Sequence, residues 1–218
     1  MSPLSGLRVL DFTALLPGPF ATMVLADLGA DVVRIESPTR PDMVRFLPPF
    51  DGDVSAWHGV LNRNKRSVAL DLKRPEADAA VRRLVAEGGY DIVIEQFRPG
   101  VMDRLGIGYE ALRTVNPAVI YCALTGYGQT GPLRDRAGHD INYLALSGAL
   151  SYSGRAGDGP PPLGIQVADI GLKGQLIKGQ DGSEEFAYQV HLGGGLASAE
   201  REEAGLGRTV RGLKVTAA

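Results

Sequence analysis

The stretch Leu7–Glu36, LRVLDFTALLPGPFATMVLADLGADVVRIE, decides the fold. Leu7–Phe12 is short, apolar and rich in residues that suit a strand. Pro17-Gly18-Pro19 marks a turn. Pro19 suits the first turn of a helix, because the N–H it lacks would have no partner there. Phe20–Leu28 carries apolar residues at helical spacing, and Gly29 suits the position just past the helix end. Asp31–Glu36 reads as a second strand. Two strands joined by a helix predict a parallel βαβ unit.

Outward from this unit the pattern repeats. Ser67–Leu72 reads as a strand, and Pro75–Glu87 as a helix ended by Gly88-Gly89. Tyr90–Glu95 is another strand, Tyr109–Val115 a short helix and Ala118–Leu124 a further strand. Alternating strands and helices predict an α/β class fold, with a Rossmann-like, mostly parallel sheet flanked by helices. Ser37–Val60 is a long, polar, Pro-rich connection, of the kind that is usually functional or mobile. After Gly171 the character changes. Residues 172–218 are rich in Gly and charge without a sustained apolar period, and are expected to be a loosely ordered tail to the domain of residues 1–171.

The chain has 218 residues and a formal net charge of −2. That balance argues against a nucleic-acid or membrane-surface binder. Cys122 is the single cysteine, which excludes an internal disulfide or a cysteine-based zinc site. His58, His139 and His191 lack metal-site spacing, so no metal is expected. The N-terminus has no basic segment followed by a long apolar one, and no apolar run reaches membrane-spanning length. A soluble, cytoplasmic protein is the expectation. The phosphate-loop, dinucleotide and serine-elbow signatures are missing from the sequence.

Four segments carry candidate chemistry. Asn62–Lys73 (NRNKRSVALDLK) sets Arg63, Lys65 and Arg66 before a strand, a cluster able to hold phosphates by charge-assisted hydrogen bonds. It reads equally as a solvated basic turn. In Glu95–Gly108 (EQFRPGVMDRLGIG), Arg98 directly follows a strand, where α/β folds place ligand contacts; a plain surface arginine is the other reading. Leu124–Gly131 (LTGYGQTG) crowds glycines at a strand end, either exposing N–H donors or forming an ordinary loop. The fourth holds His139 in AGHDINYLALSGALS and Asp169 in GIQVADIG. A lone His or Asp is more often structural than catalytic.

Together and in this order, these segments resemble CoA-transferase family III, the CaiB/BaiF family. The marks are PLSGLRVLDFT, LLPGPFATMVLADLGADVVRIESP, NRNKRSVALDLK, DIVIEQFRPGVMDRLGIGYEAL, NPAVIYCALTGYGQTGP and the Asp169 segment. They span roughly residues 3–171. AGHDINYLALSGALS resembles the α-methylacyl-CoA racemase subgroup, which has histidine at the position of His139 where the transferases typically have tyrosine. PPLGIQVADIG puts Asp169 where the family's catalytic aspartate falls. Two departures stand out. Ser37 occupies a position where some racemases have an arginine in the CoA site. LKGQLIKGQDGSEEF follows Asp169 where the family continues into a long apolar helix and a small second domain. The chain is thus expected to lack that half of the family pattern.

The resemblance implies a mechanism and a set of contacts. His139 and Asp169 would remove and return the α-proton of a 2-methyl-branched acyl-CoA through an enolate. Asp140 would orient the imidazole or cap a helix. CoA would lie against Leu70, Asp71, Leu72, Lys73, Tyr90, Asp91, Ile92, Arg98, Gly138, Asp140, Ile141, Asn142 and Tyr143. Arg63, Lys65 and Arg66 would serve its phosphates, and Leu70 and Leu72 its adenine. CoA enters as part of the substrate, with no prosthetic group. The family implies an interlocked homodimer with its active site between one subunit's large domain and the partner's small domain, so this chain alone is expected to show little activity. Two alternatives remain: a CoA-transferase with Asp169 as nucleophile, and a CoA-binding remnant without activity.

Overall fold

The computed structural model describes residues 2–155 and 157–170, with the backbone of four short strand pieces beyond them. The opening unit is strand β1 (Arg8–Phe12), helix α1 (Pro17–Asp27) and strand β2 (Asp31–Glu36). There follow strands β3 (Phe50–Asp51) and β4 (Val54–Ser55), helix α2 (Ala56–Leu61) and strand β5 (Lys65–Ala69). Helix α3 (Ala77–Glu87), strand β6 (Ile92–Glu95), helices α4 (Val101–Arg104) and α5 (Tyr109–Arg113) and strand β7 (Ile120–Ala123) complete the sheet layers. Helices α6 (Asp140–Leu146) and α7 (Val167–Ile170) follow.

Parallel strands run in the order β5-β2-β1-β6-β7. The first strand therefore lies centrally, and the connections leave it in opposite directions on its two sides. Side chains alternate along each strand. Val9, Val32 and Ile94 turn towards Ala26 on α1. Leu10, Val33 and Val93 turn the other way, into a larger core with Val81 and Val85 of α3 and Leu112 of α5. Strands buried on both faces explain why LRVLDF and DVVRIE read as near-continuous apolar runs. The backbone of Ile177–Lys178 pairs antiparallel with β7. Apart from such strand pieces, residues 172–218, where a loosely ordered tail is expected, lie outside the described residues.

Two expectations need correction. The third strand is Lys65–Ala69, not Ser67–Leu72. Its ladder pairs Val32 with Lys65 and ends at Glu36 with Ala69, because β2 itself ends there. Nor is Ser37–Val60 a bare loop: it holds a 3-10 turn at Met43–Phe46, the β3–β4 hairpin and α2. Ion pairs moor it to β2. Arg34, 2% exposed, meets Asp42 at 2.5 Å, and Arg45 meets Glu36 at 2.7 Å.

Candidate active site

The carboxyl ends of β1, β6 and β7 open into one cavity of about 440 Å³. It sits where the strand order reverses, the place where open parallel sheets bind ligands. The loops after these strands, the 3-10 turn with α2, and helices α6 and α7 wall it.

After β1, Leu15, Leu16 and Pro17 form one side. Leu15 adopts φ 64°, a left-handed conformation uncommon for leucine. The Asp42 carboxylate holds it there, accepting from the Leu15 N–H at 3.1 and 3.2 Å. After β6 come Gln96, Phe97, Arg98 and Pro99. The buried Glu95 carboxylate accepts from the Phe97 N–H at 2.7 Å and so fixes that turn. After β7, Gly126 lies against the Tyr143 ring from α6, and Gly138 presses on it too. A Cβ at Gly126 would fall 2.1 Å from the tyrosine oxygen, and one at Gly138 would fall 2.7 Å from the ring. Close ring approach therefore explains these two glycines, and the ring also meets Tyr127 edge-on at 5.4 Å.

Burial pushes Glu95 up from 4.5 to about 7, against its hydrogen bond from Phe97. Such a carboxyl holds its proton more tightly in the folded chain than in the unfolded one. Stability from this group is fully present below pH 4.5 and is lost as pH rises through about 7. The difference is on the order of 3 kcal/mol. Glu95→Gln keeps an acceptor for Phe97 and has no titration. Urea unfolding between pH 4 and 8 should show a decline in the parent protein that the variant lacks; matching profiles would refute the assignment.

His139 is the N-cap of α6, and its N–H donates to Asn142 Oδ1 at 2.9 Å. Its side chain faces the cavity, as does that of Asp169 on α7. Burial raises the Asp169 carboxyl, the negative charge of Asp140 adds to that, and His139 opposes it. The Asp169 Oδ2 accepts from Gln166 Nε2 at 3.2 Å.

Of the residues singled out in the sequence, the cavity brings together His139, Asp169, Arg98, Gly138 and Tyr143. Arg98 is exposed and donates to the Arg136 carbonyl. The basic trio is not a cluster. Arg63 pairs with Asp27 at 2.5 Å and Arg66 with Asp31 at 2.6 Å. Lys65 is buried against Asp11, at 3.4 Å, and Thr22, at 2.7 Å. Consecutive strand residues point to opposite faces, which is why neighbours in sequence part company here.

Tyr90 and Asp91 lead into β6, which Ile92 starts, at the end of the sheet opposite the cavity. Tyr90 is buried in the core beneath the Arg8 guanidinium, and Asp91 accepts from the Arg8 N–H at 2.9 Å. Leu70 and Leu72 pack on the core, and Asp71 accepts from the Lys73 N–H. None of Leu70, Asp71, Leu72, Lys73, Asp140, Ile141 and Asn142 lines the cavity. Asp140 is buried, and Asn142 is engaged by the His139 backbone. Sequence reasoning missed Gln96 and Thr125, which line the wall with Gln96 Oε1 and Thr125 Oγ1 unpartnered among the described residues. Both follow strands directly, the position that marked Arg98. Among the described residues no group of three or more His, Cys, Asp or Glu could hold a metal, and no helix is long and apolar enough to cross a membrane.

A doubly wound parallel sheet with an acid and an imidazole at its switch-point cavity defines an α/β protein built for a ligand at that edge. The model of CoA-transferase family III matches residues 4–177, and the chain belongs to that family. It is 45% identical to a succinate–glutarate CoA-transferase of Agrobacterium fabrum over 77% of this chain and 43% of that protein. It is 47% identical to human alpha-methylacyl-CoA racemase over 77% of this chain and 40% of that one. The crystal structure of a CAIB/BAIF family protein from Brucella suis superposes with a TM-score of 0.72 at 40% identity, covering 78% of this chain and 46% of the other. The chain thus spans about two fifths of the length of these relatives. Transferases and racemases match at similar identity, so the matches establish an enzyme family acting on CoA thioesters without separating its two reactions.

Proposed function

We propose that the protein is the large-domain part of an acyl-CoA racemase, epimerising 2-methyl-branched acyl-CoA thioesters. The single observation that carries this reading is that His139 and Asp169 line one cavity, with burial raising the Asp169 carboxyl from its ordinary value. A proton pair needs one group that arrives unprotonated and one that arrives protonated. Neutral imidazole takes the α-proton, and the electron pair moves onto the thioester oxygen as an enolate. Asp169 then gives its proton to the opposite face of the carbon, restoring the thioester. In the reverse direction the two exchange roles. CoA is part of the substrate, and the chemistry needs no prosthetic group. A homodimer completing the cavity belongs to the same reading.

The second reading, acyl transfer through an aspartyl anhydride, is supported by the transferases among the relatives. His139 beside Asp169 on the cavity wall favours the first, since acyl transfer through Asp169 needs no base at the α-carbon. The experiment joins residues 1–170 to the remaining part of a racemase relative and supplies one enantiomer of a 2-methylacyl-CoA. Epimerisation without any carboxylic acid acceptor is expected; product formation only when an acceptor acid is added would favour the transferase.

Arg98 lines this cavity and is exposed to a CoA phosphate. A charged hydrogen bond is worth about 1.5–3 kcal/mol. Arg98→Ala should therefore weaken acyl-CoA binding roughly tenfold or more in calorimetry, whereas Arg66→Ala should not. Equal affinities for Arg98→Ala and the parent would remove Arg98 from the site.

A further inference from the structure

His139 and Asp140 are neighbours in sequence with opposite surroundings. The histidine is exposed at the cavity, and Asp140 is 9% exposed beneath it. One oxygen of Asp140 accepts two backbone N–H groups from a segment 28 residues further on, Ala168 at 2.5 Å and Asp169 at 3.1 Å. The residue that follows the base thus grips the backbone of the acid. α7 is four residues long, too short to hold its own position. α6 touches it, and this carboxylate supplies two polar contacts between them.

We propose that Asp140 is a positioning residue, which sets Asp169 against His139 and keeps a negative charge beside the Asp169 carboxyl. The inference deepens the proton-transfer reading and rests on it for its catalytic meaning. Its two roles separate chemically. Asp140→Asn keeps a side-chain oxygen for the two N–H groups and removes the charge. Asp140→Ala removes both.

Among the described residues, few groups face Asp169. From the start of α6 come His139 and Asp140, and further along it Tyr143, itself raised in part by the Asp169 charge. Arg98, in the loop after β6, acts on Tyr143. The stretch of α1 from Pro17 to Leu25 has no titratable side chain. Among the described residues Asp140 is the anion acting on Asp169, so neutralising it should lower the Asp169 midpoint.

The test follows the Asp169 carboxyl by carbon-13 NMR and the Ala168 and Asp169 amides by hydrogen exchange, in the full 218-residue chain without substrate. Asp140→Asn is expected to lower the Asp169 midpoint and leave both amides as protected as in the parent. Asp140→Ala should speed exchange of both amides roughly tenfold, as loss of a hydrogen bond predicts. An unmoved Asp169 midpoint in Asp140→Asn, or amides still protected in Asp140→Ala, overturns the proposal. If Asp140→Ala does not fold, the Asp140→Asn titration decides alone. Neither readout involves turnover, so a failure of the racemase reading would appear in the epimerisation assay while these results stand.

Discussion

Replacing Asp169 by asparagine is expected to cut epimerisation by roughly 10²–10⁴-fold, the usual worth of a positioned acid or base. The loss is directional. Asparagine can neither take nor give the proton, so the enantiomer that relies on Asp169 as its base should lose exchange most, while His139 still strips the other. His139→Ala should show the opposite bias. Both variants are measured in the joined protein by following each enantiomer separately. Both side chains line the same cavity. A transferase predicts another pattern: Asp169→Asn stops all turnover and His139→Ala matters little.

The second large effect is on stability. Asp11→Ala should cost about 3–5 kcal/mol, because it strands a buried cation. Asp11 is fully buried, and its carboxylate accepts from the Thr13 N–H at 2.9 Å and from the hydroxyls of Thr13 and Thr22 at 2.5 Å. Lys65 Nζ lies 3.4 Å away and also reaches the Pro19 carbonyl at 2.9 Å. Burial has already drawn this amine down to about 8. Without Asp11 it keeps only neutral partners. Urea unfolding at pH 7 checks the figure, and adding Lys65→Met to Asp11→Ala should recover much of the loss. A cost under about 1 kcal/mol would mean that the network is not what joins β1, α1 and β5.

The sequence made the parallel sheet legible because β1 and β2 are buried on both faces, so their apolar runs and the helical period between them stand out together. The family resemblance picked out His139 and Asp169, and its place after a strand picked out Arg98; all three line the cavity. The phosphate trio misled for a physical reason. Arg63, Lys65 and Arg66 look alike on paper, but the strand pleat sends Lys65 inward to Asp11 and leaves the others to surface carboxylates. Asp11 gave no warning, since a carboxylate within LRVLDF looks like an interruption until Lys65 is seen beside it. The Ser37–Val60 segment hid its structure because its order comes from Arg34, Glu36, Asp42 and Arg45, pairs that no periodicity announces. The link from Asp140 to Ala168 and Asp169 was invisible for the same reason, being a contact between a side chain and a distant backbone.

The central claim is that the His139–Asp169 cavity moves a proton at the carbon next to a thioester. Deuterium incorporation tests it most directly. The joined protein is incubated in D₂O with a 2-methylacyl-CoA and no acid acceptor, and the recovered thioester is weighed by mass spectrometry. The account predicts one deuterium at the α-carbon, with incorporation strongly reduced in Asp169→Asn. A thioester recovered unlabelled, from a protein that in a parallel sample transfers CoA to an added carboxylate, would contradict it.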